Sequence, residues 1–314
     1  MYLTHLGLSQ LPYTLTPNTQ FYCELPPHQE ALQVLHAALA AGEGFIKVTG
    51  EVGTGKTMIC RKLINELADD YQFAWLPNPY LSGDELRRAL ATELGLPAEH
   101  DALQLTQQIS EALMRCALAK KPVVVVVDEA QALPDDSLEA LRLFTNLETE
   151  SFKLLQVVLL GQPELDQRLA EPQLRQLRQR ITFSYRLRGL SLAECQDYLE
   201  YRLHVAGYDG APMFSGVPSK LIWQASGGIP RLVNVLAHKC LILAYGANTQ
   251  RVTAAMVSRA IADTDATASL PRFYGWRLRW QARLAGKGGY FLWLGFGLLW
   301  LLGWWLRVNL EITP

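Results

Sequence analysis

The 314 residues suffice for one large or two modest domains, and a hydrophobic content of 49% excludes global disorder. Lys plus Arg number 29 against 30 Asp plus Glu, so no overall field draws the protein onto a polyanion, and charge does not imply nucleic acid. Cys23, Cys60, Cys116, Cys195 and Cys240 are odd in number, far apart and without C-x-x-C pairing, which argues against a disulfide framework and a zinc site and suits reduced core thiols in a cytoplasmic domain.

Residues 1–15 have no basic region and no unbroken apolar run, unlike a secretory signal. A leader containing Pro12, Pro17, Pro26 and Pro27 precedes a helical pattern over 29–41, with Leu32, Leu35 and Leu39 on one face; leader and helix make up 1–43. Residues 45–48 read as a strand, 57–67 as a helix and 73–76 as the next strand, a βαβ unit. Ser82 and Glu85 form a capping-box pattern ahead of Leu86, Leu90 and Leu94, and a second helix covers 103–120. The five valines 123–127 cannot alternate inside and outside, so their strand is buried on both faces, as in the centre of a parallel sheet. A helix over 136–149 and strands over 154–160 and 181–185 complete a three-layer α/β core spanning 44–186. Three helical patterns follow, over 191–206 with a Ser191/Glu194 capping box, 229–245 and 253–263, forming a small all-α lid over 187–265.

Between the first strand and its helix, Gly50-Glu51-Val52-Gly53-Thr54-Gly55-Lys56-Thr57 fits G-x-x-x-x-G-K-[ST] in full, in the context that makes the pattern informative. Glycines let backbone N–H groups turn inward and approach phosphate oxygens with no Cβ in the way. Lys56 is expected to reach the β- and γ-phosphates and Thr57 to place its hydroxyl on Mg²⁺, with Met58 continuing the cofactor-binding run at the helix start. Asp128 and Glu129 end the valine strand at the edge where α/β ligands bind; Asp128 is expected to hold Mg²⁺ in its outer shell and Glu129 to orient and deprotonate the attacking water. ATP and Mg²⁺ are therefore the expected substrate and cofactor.

The order P-loop, V-V-V-V-V-D-E-A-Q, L-L-G-Q-P-E-L, L-R-Q-R-I and G-G-I-P-R-L-V-N resembles the AAA+ ATPases, specifically their secretion-ATPase (general secretion pathway A-like) branch. The leader run L-G-L-x-x-L-P-Y-x-L-x-P is similar too, so the likeness covers about 1–265. Within that branch the resemblance is expected to be to members serving MSHA pilus biogenesis, because no large domain follows the C-terminal apolar segment here. The resemblance implies that Gln162 is the first sensor, Arg231 the second, and Arg180 the arginine that enters a neighbouring subunit's site, with Arg175 and Arg178 as alternatives on the same stretch. Gln162 departs from the Asn or Thr of other AAA+ branches. A site completed in trans implies a homo-oligomer, a ring or partial ring.

Residues 266–287 form a linker with Arg272, Arg277, Arg279, Arg283 and Lys287 and, from 271 on, no acid; such a linker suits anionic headgroups. Residues 288–306 then carry no charge, and these 19 residues span roughly 28 Å as a helix, close to the ~30 Å hydrocarbon thickness. The charge bias predicts a single-pass anchor with the ATPase in the cytoplasm and a short tail, 307–314, on the other side, and the resemblance implies that the membrane is the bacterial inner one. The implied function is assembly or remodelling of a type IV (MSHA-like) pilus or type II secretion apparatus, with inner-membrane components as partners. Two alternatives stay open: a DNA-directed AAA+ ATPase and a slow ATP-dependent recruitment switch. D-E-A-Q also occurs in helicase boxes, but the lid region is too small and too helical for a second RecA-like domain.

Overall fold

Short apolar runs alternating with amphipathic stretches build one sheet with helices on both faces. The computed structural model describes residues 2–15, 19–98, 101–148 and 153–267. Helices α1 (Tyr2–Leu6) and α2 (Pro26–Ala40) lead into β1 (Phe45–Gly50), α3 (Lys56–Leu67), β2 (Gln72–Leu76), α4 (Gly83–Glu93), α5 (Ala102–Leu118) and β3 (Val123–Val127). Then come α6 (Asp135–Phe144), β4 (Leu155–Gly161), the short α7 (Glu164–Leu169) and α8 (Arg175–Arg178), and β5 (Ile181–Leu187). The lid comprises α9 (Leu192–Val205), α10 (Val217–Ser226), α11 (Pro230–Gly246) and α12 (Ala254–Ala262).

The strands run parallel in the order β2-β3-β4-β1-β5. All of Val123–Val127 are buried because successive side chains serve opposite layers. Val123, Val125 and Val127 join Leu86, Leu90, Ile109 and Leu141 on one face, while Val124 and Val126 join Leu35, Ile59 and Leu63 on the other. Each fully buried Leu or Ile contributes roughly 1.5–3 kcal/mol, so both layers press on the strand that ends in Asp128. Edge strand β5 instead alternates half-buried and exposed positions.

A third apolar cluster joins the leader to the lid. Tyr2, Leu6, Leu8, Tyr13 and Phe21 pack with Leu199, Leu203, Phe214 and Leu236. The Tyr13 hydroxyl donates to the Leu199 carbonyl at 2.8 Å, and Arg202 Nε donates to the Pro12 carbonyl at 2.6 Å. The leader thus reaches across the chain to the lid, a placement without local periodicity to announce it.

Both expected capping boxes are present, at Ser82/Glu85 and Ser191/Glu194. Helix α2 starts at Pro26 rather than 29, because proline is tolerated in the first turn, where its missing N–H has no intrahelical partner to lose. Helix α6 stops at Phe144 rather than 149, with Thr145 as C-cap. Helix α10 is an addition to the three expected lid helices; Gly216 caps it and Pro218 sits in its first turn, where a missing N–H breaks no intrahelical bond. The five cysteines are free thiols, and burial pushes Cys60, Cys195 and Cys240 up to about 12, so they pack as small apolar groups. Among the described residues no helix is long and apolar enough to cross a membrane. The expected linker, membrane segment and tail, 268–314, lie outside the described residues.

Candidate nucleotide-binding site

The loop after β1 is shaped by two left-handed glycines, Gly53 (φ +85°) and Gly55 (φ +104°). A Cβ on Gly53 would lie 2.4 Å from Arg231 Cβ, and one on Gly55 would lie 2.9 Å from His28 Nε2. Neither position admits a side chain, so the lid and α2 close directly on the loop backbone. Helix α3 begins at Lys56 and directs its N-terminal amides at the loop's hollow. The Lys56 ammonium is buried and donates to the carbonyls of Gly50 at 2.8 Å and Glu51 at 3.2 Å. Burial pulls its pKa down, against the pull of Glu129, Asp128, Glu51 and Glu164.

Strand β3 delivers two acids to the same edge. Thr57 Oγ1 donates to Asp128 Oδ2 at 2.7 Å, linking the start of α3 to the tip of β3. Glu129 adopts a left-handed backbone (φ +53°), a conformation costly for a residue with a side chain and found where function constrains it. Its Oε2 accepts from Gln131 Nε2 at 2.7 Å and from Gln162 Nε2 at 2.8 Å. Burial pushes the Glu129 carboxyl up, but the two amide donors and Lys56 outweigh it and hold the group below its usual value. Gln162 follows Gly161 at the end of β4, the strand between β1 and β3.

One cleft of about 380 Å³ brings together Val52, Gly53, Gly55, Lys56, Thr57, Met58 and Glu129 from the core with Arg231 from the lid. The Arg231 backbone N–H donates to the Gly53 carbonyl at 3.2 Å. Arg180 is not in this cleft. It precedes β5, whose Ile181 pairs with Phe45 at the opposite end of β1, roughly 16 Å from Gly50 at ~3.3 Å per residue. There it lines a separate surface cleft with Glu43, Glu148 and Lys153. Arg175 and Arg178 lie on α8, both exposed.

A family model described as an AAA domain matches residues 39–169. General secretion pathway protein A of Aeromonas hydrophila is 42% identical over 262 residues, covering 83% of this chain and 48% of that protein. The chain is an AAA-domain protein related to general secretion pathway protein A. It spans about half the length of that relative. In fold it is similar to Cdc6p of Pyrobaculum aerophilum (TM-score 0.60, 18% identity, 79% of this chain and 69% of that one). It is also similar to Drosophila ORC bound to DNA (0.61, 18%, 82% and 65%) and to the Thermotoga maritima RuvB Holliday junction branch migration motor (0.52, 15%, 81% and 73%).

Within this AAA domain the residues fit a nucleotide with its metal. The Thr57 hydroxyl and Asp128 carboxylate are adjacent hard oxygen donors, suited to Mg²⁺, which takes one or two protein oxygens and completes its shell with phosphates and water. Among the described residues no group of three His, Cys, Asp or Glu could cage a metal unaided. The sequence reading passed over Gln131, whose Oε1 also accepts from the Gln162 backbone N–H at 3.0 Å and so ties β3 to β4. It also missed Arg202, buried on α9, which lies 4.8 Å from the Phe21 ring centroid. Its signal was a charge on an otherwise apolar helix face, four residues after Tyr198.

Proposed function

We propose that this AAA-domain protein binds ATP with Mg²⁺ and hydrolyses it. The observation that supports the reading is the hydrogen-bonded chain Thr57–Asp128 and Glu129–Gln162 lying beside the buried Lys56 at one sheet edge. In this reading the loop amides and Lys56 hold the phosphates, Glu129 takes the proton of the attacking water, and Gln162 orients that water or the γ-phosphate. Arg231 couples the lid to the loop through Gly53. Thr57 and Asp128 would hold Mg²⁺, which would supply charge neutralisation at the phosphates. Arg180 lies outside its own cleft and serves the site of a neighbouring copy in a homo-oligomer.

The role served is proposed from the likeness to general secretion pathway protein A: assembly or remodelling of a type II secretion apparatus or an MSHA-like type IV pilus at the bacterial inner membrane. The uncharged segment 288–306 is the proposed anchor. Phosphate release from MgATP by purified protein, together with carbonate extraction of membranes, tests both parts. Protein released by salt alone, with turnover raised by duplex DNA, would favour the DNA-directed alternative, which the fold shared with DNA-bound ORC keeps in view.

A further inference from the structure

The cleft extends beyond the phosphate loop, and the end where His28 meets Thr54 is built by the leader, α2 and the lid, with Tyr22, His28 and Asn234 among its lining residues. His28 and Asn234 are more than nine-tenths buried. His28 Nδ1, Asn234 Oδ1 and Tyr22 Oη are nonetheless buried polar atoms without a hydrogen-bond partner, a costly arrangement unless a ligand satisfies them. The other imidazole nitrogen, Nε2, lies 2.8 Å from the Thr54 carbonyl. A carbonyl only accepts, so Nε2 carries the proton. Burial lowers the ring's pKa and keeps it neutral, which leaves Nδ1 a lone pair.

We propose that this end is a nucleobase subsite in which His28 Nδ1, with Asn234 Oδ1 as a second acceptor, selects adenine by accepting from its 6-amino group. Guanine and hypoxanthine present a 6-oxo acceptor at that position, which opposes a lone pair with a lone pair and leaves the buried nitrogen unpaired. The same imidazole braces the loop through Thr54, so base recognition and phosphate binding meet in one side chain. The inference rests on the nucleotide-binding reading above.

The test is equilibrium binding to the full chain of four magnesium triphosphates: ATP, GTP, ITP and purine riboside triphosphate, which lacks any 6-substituent. The unmodified protein is expected to prefer ATP to each of the others by about tenfold or more. In His28→Gln the side-chain amide can still reach the Thr54 carbonyl, but no acceptor remains at the Nδ1 position. ATP affinity is expected to fall about tenfold there, with GTP and ITP within twofold of their original affinity. An unchanged ATP-to-ITP ratio in His28→Gln overturns the proposal. So does equal binding of ATP and purine riboside triphosphate by the unmodified protein, a comparison that needs no variant to fold. Absence of binding by all four overturns the nucleotide-binding reading itself, which separates the two failures.

Discussion

The side-chain amide of Gln162 donates to the carboxylate of Glu129 at 2.8 Å, joining the tips of β4 and β3 directly behind the phosphate loop. With Gln131 donating to the same oxygen, the acid is held ionised and aimed while its second oxygen makes no hydrogen bond to either glutamine. Replacing Glu129 by Gln removes the proposed base and keeps the size, so kcat is expected to fall by ~10² or more with ATP affinity retained. Gln131→Ala leaves the acid present but loosely held, and kcat is expected to fall about tenfold at unchanged KM. Steady-state kinetics beside nucleotide titration check both, and wild-type kcat in Glu129→Gln would remove that residue from the mechanism.

Gly53 is the point where the loop meets the lid. Alanine there would be forced into a left-handed backbone and driven against Arg231 Cβ at 2.4 Å, a contact that only main-chain movement can relieve. Gly53→Ala is therefore expected to cost about 1–3 kcal/mol in stability and to weaken ATP binding at least tenfold. Thermal unfolding with and without MgATP reads both effects; an unaltered Tm and affinity would mean that the lid does not bear on the loop there.

Arg180 stands at the opposite end of the β1–β5 pair from its own Lys56, so its effect should pass between copies. Turnover per subunit is expected to rise with protein concentration, and Arg180→Ala to lower kcat by ~10³ while leaving ATP affinity intact. Activity per subunit that stays constant on dilution to the monomer would contradict the trans role, and a loss in Arg175→Ala or Arg178→Ala instead would reassign it.

Glu194 closes the capping box of α9 and takes two hydrogen bonds from Arg188, at 2.7 and 2.9 Å. The Arg188 donors hold its carboxyl well down, at about 2, against the ordinary 4.5 of a glutamate. A carboxyl depressed in the folded state adds stability that is present above pH 4.5 and lost as pH falls toward 2. Glu194→Ala should lower Tm by about 2–4 °C at neutral pH. The gap to wild type should narrow steadily below pH 4.5. A gap independent of pH would show that the ion pair contributes nothing.

Much of this arrangement is legible along the chain because its signals are local. The run of valines forces a strand buried on both sides, and each capping box is complete within four residues, so strand and helix positions follow from nearest neighbours. The loop glycines and Lys56 announce themselves by spacing. Contacts without a local signature stay hidden: Arg202 reaches the Pro12 carbonyl across 190 positions, and Gln131 meets Gln162 only after β3 and β4 pair. His28 likewise stands on a proline-started helix and acquires meaning only when the loop carbonyl of Thr54 closes on it.

Titration of the purified chain with MgATP, beside Lys56→Ala, tests the nucleotide site most directly. The buried ammonium between Gly50 and Glu51 predicts saturable binding by the unmodified protein and its loss in the variant. No measurable affinity with Lys56 intact in millimolar magnesium, or equal affinity in both proteins, would contradict it.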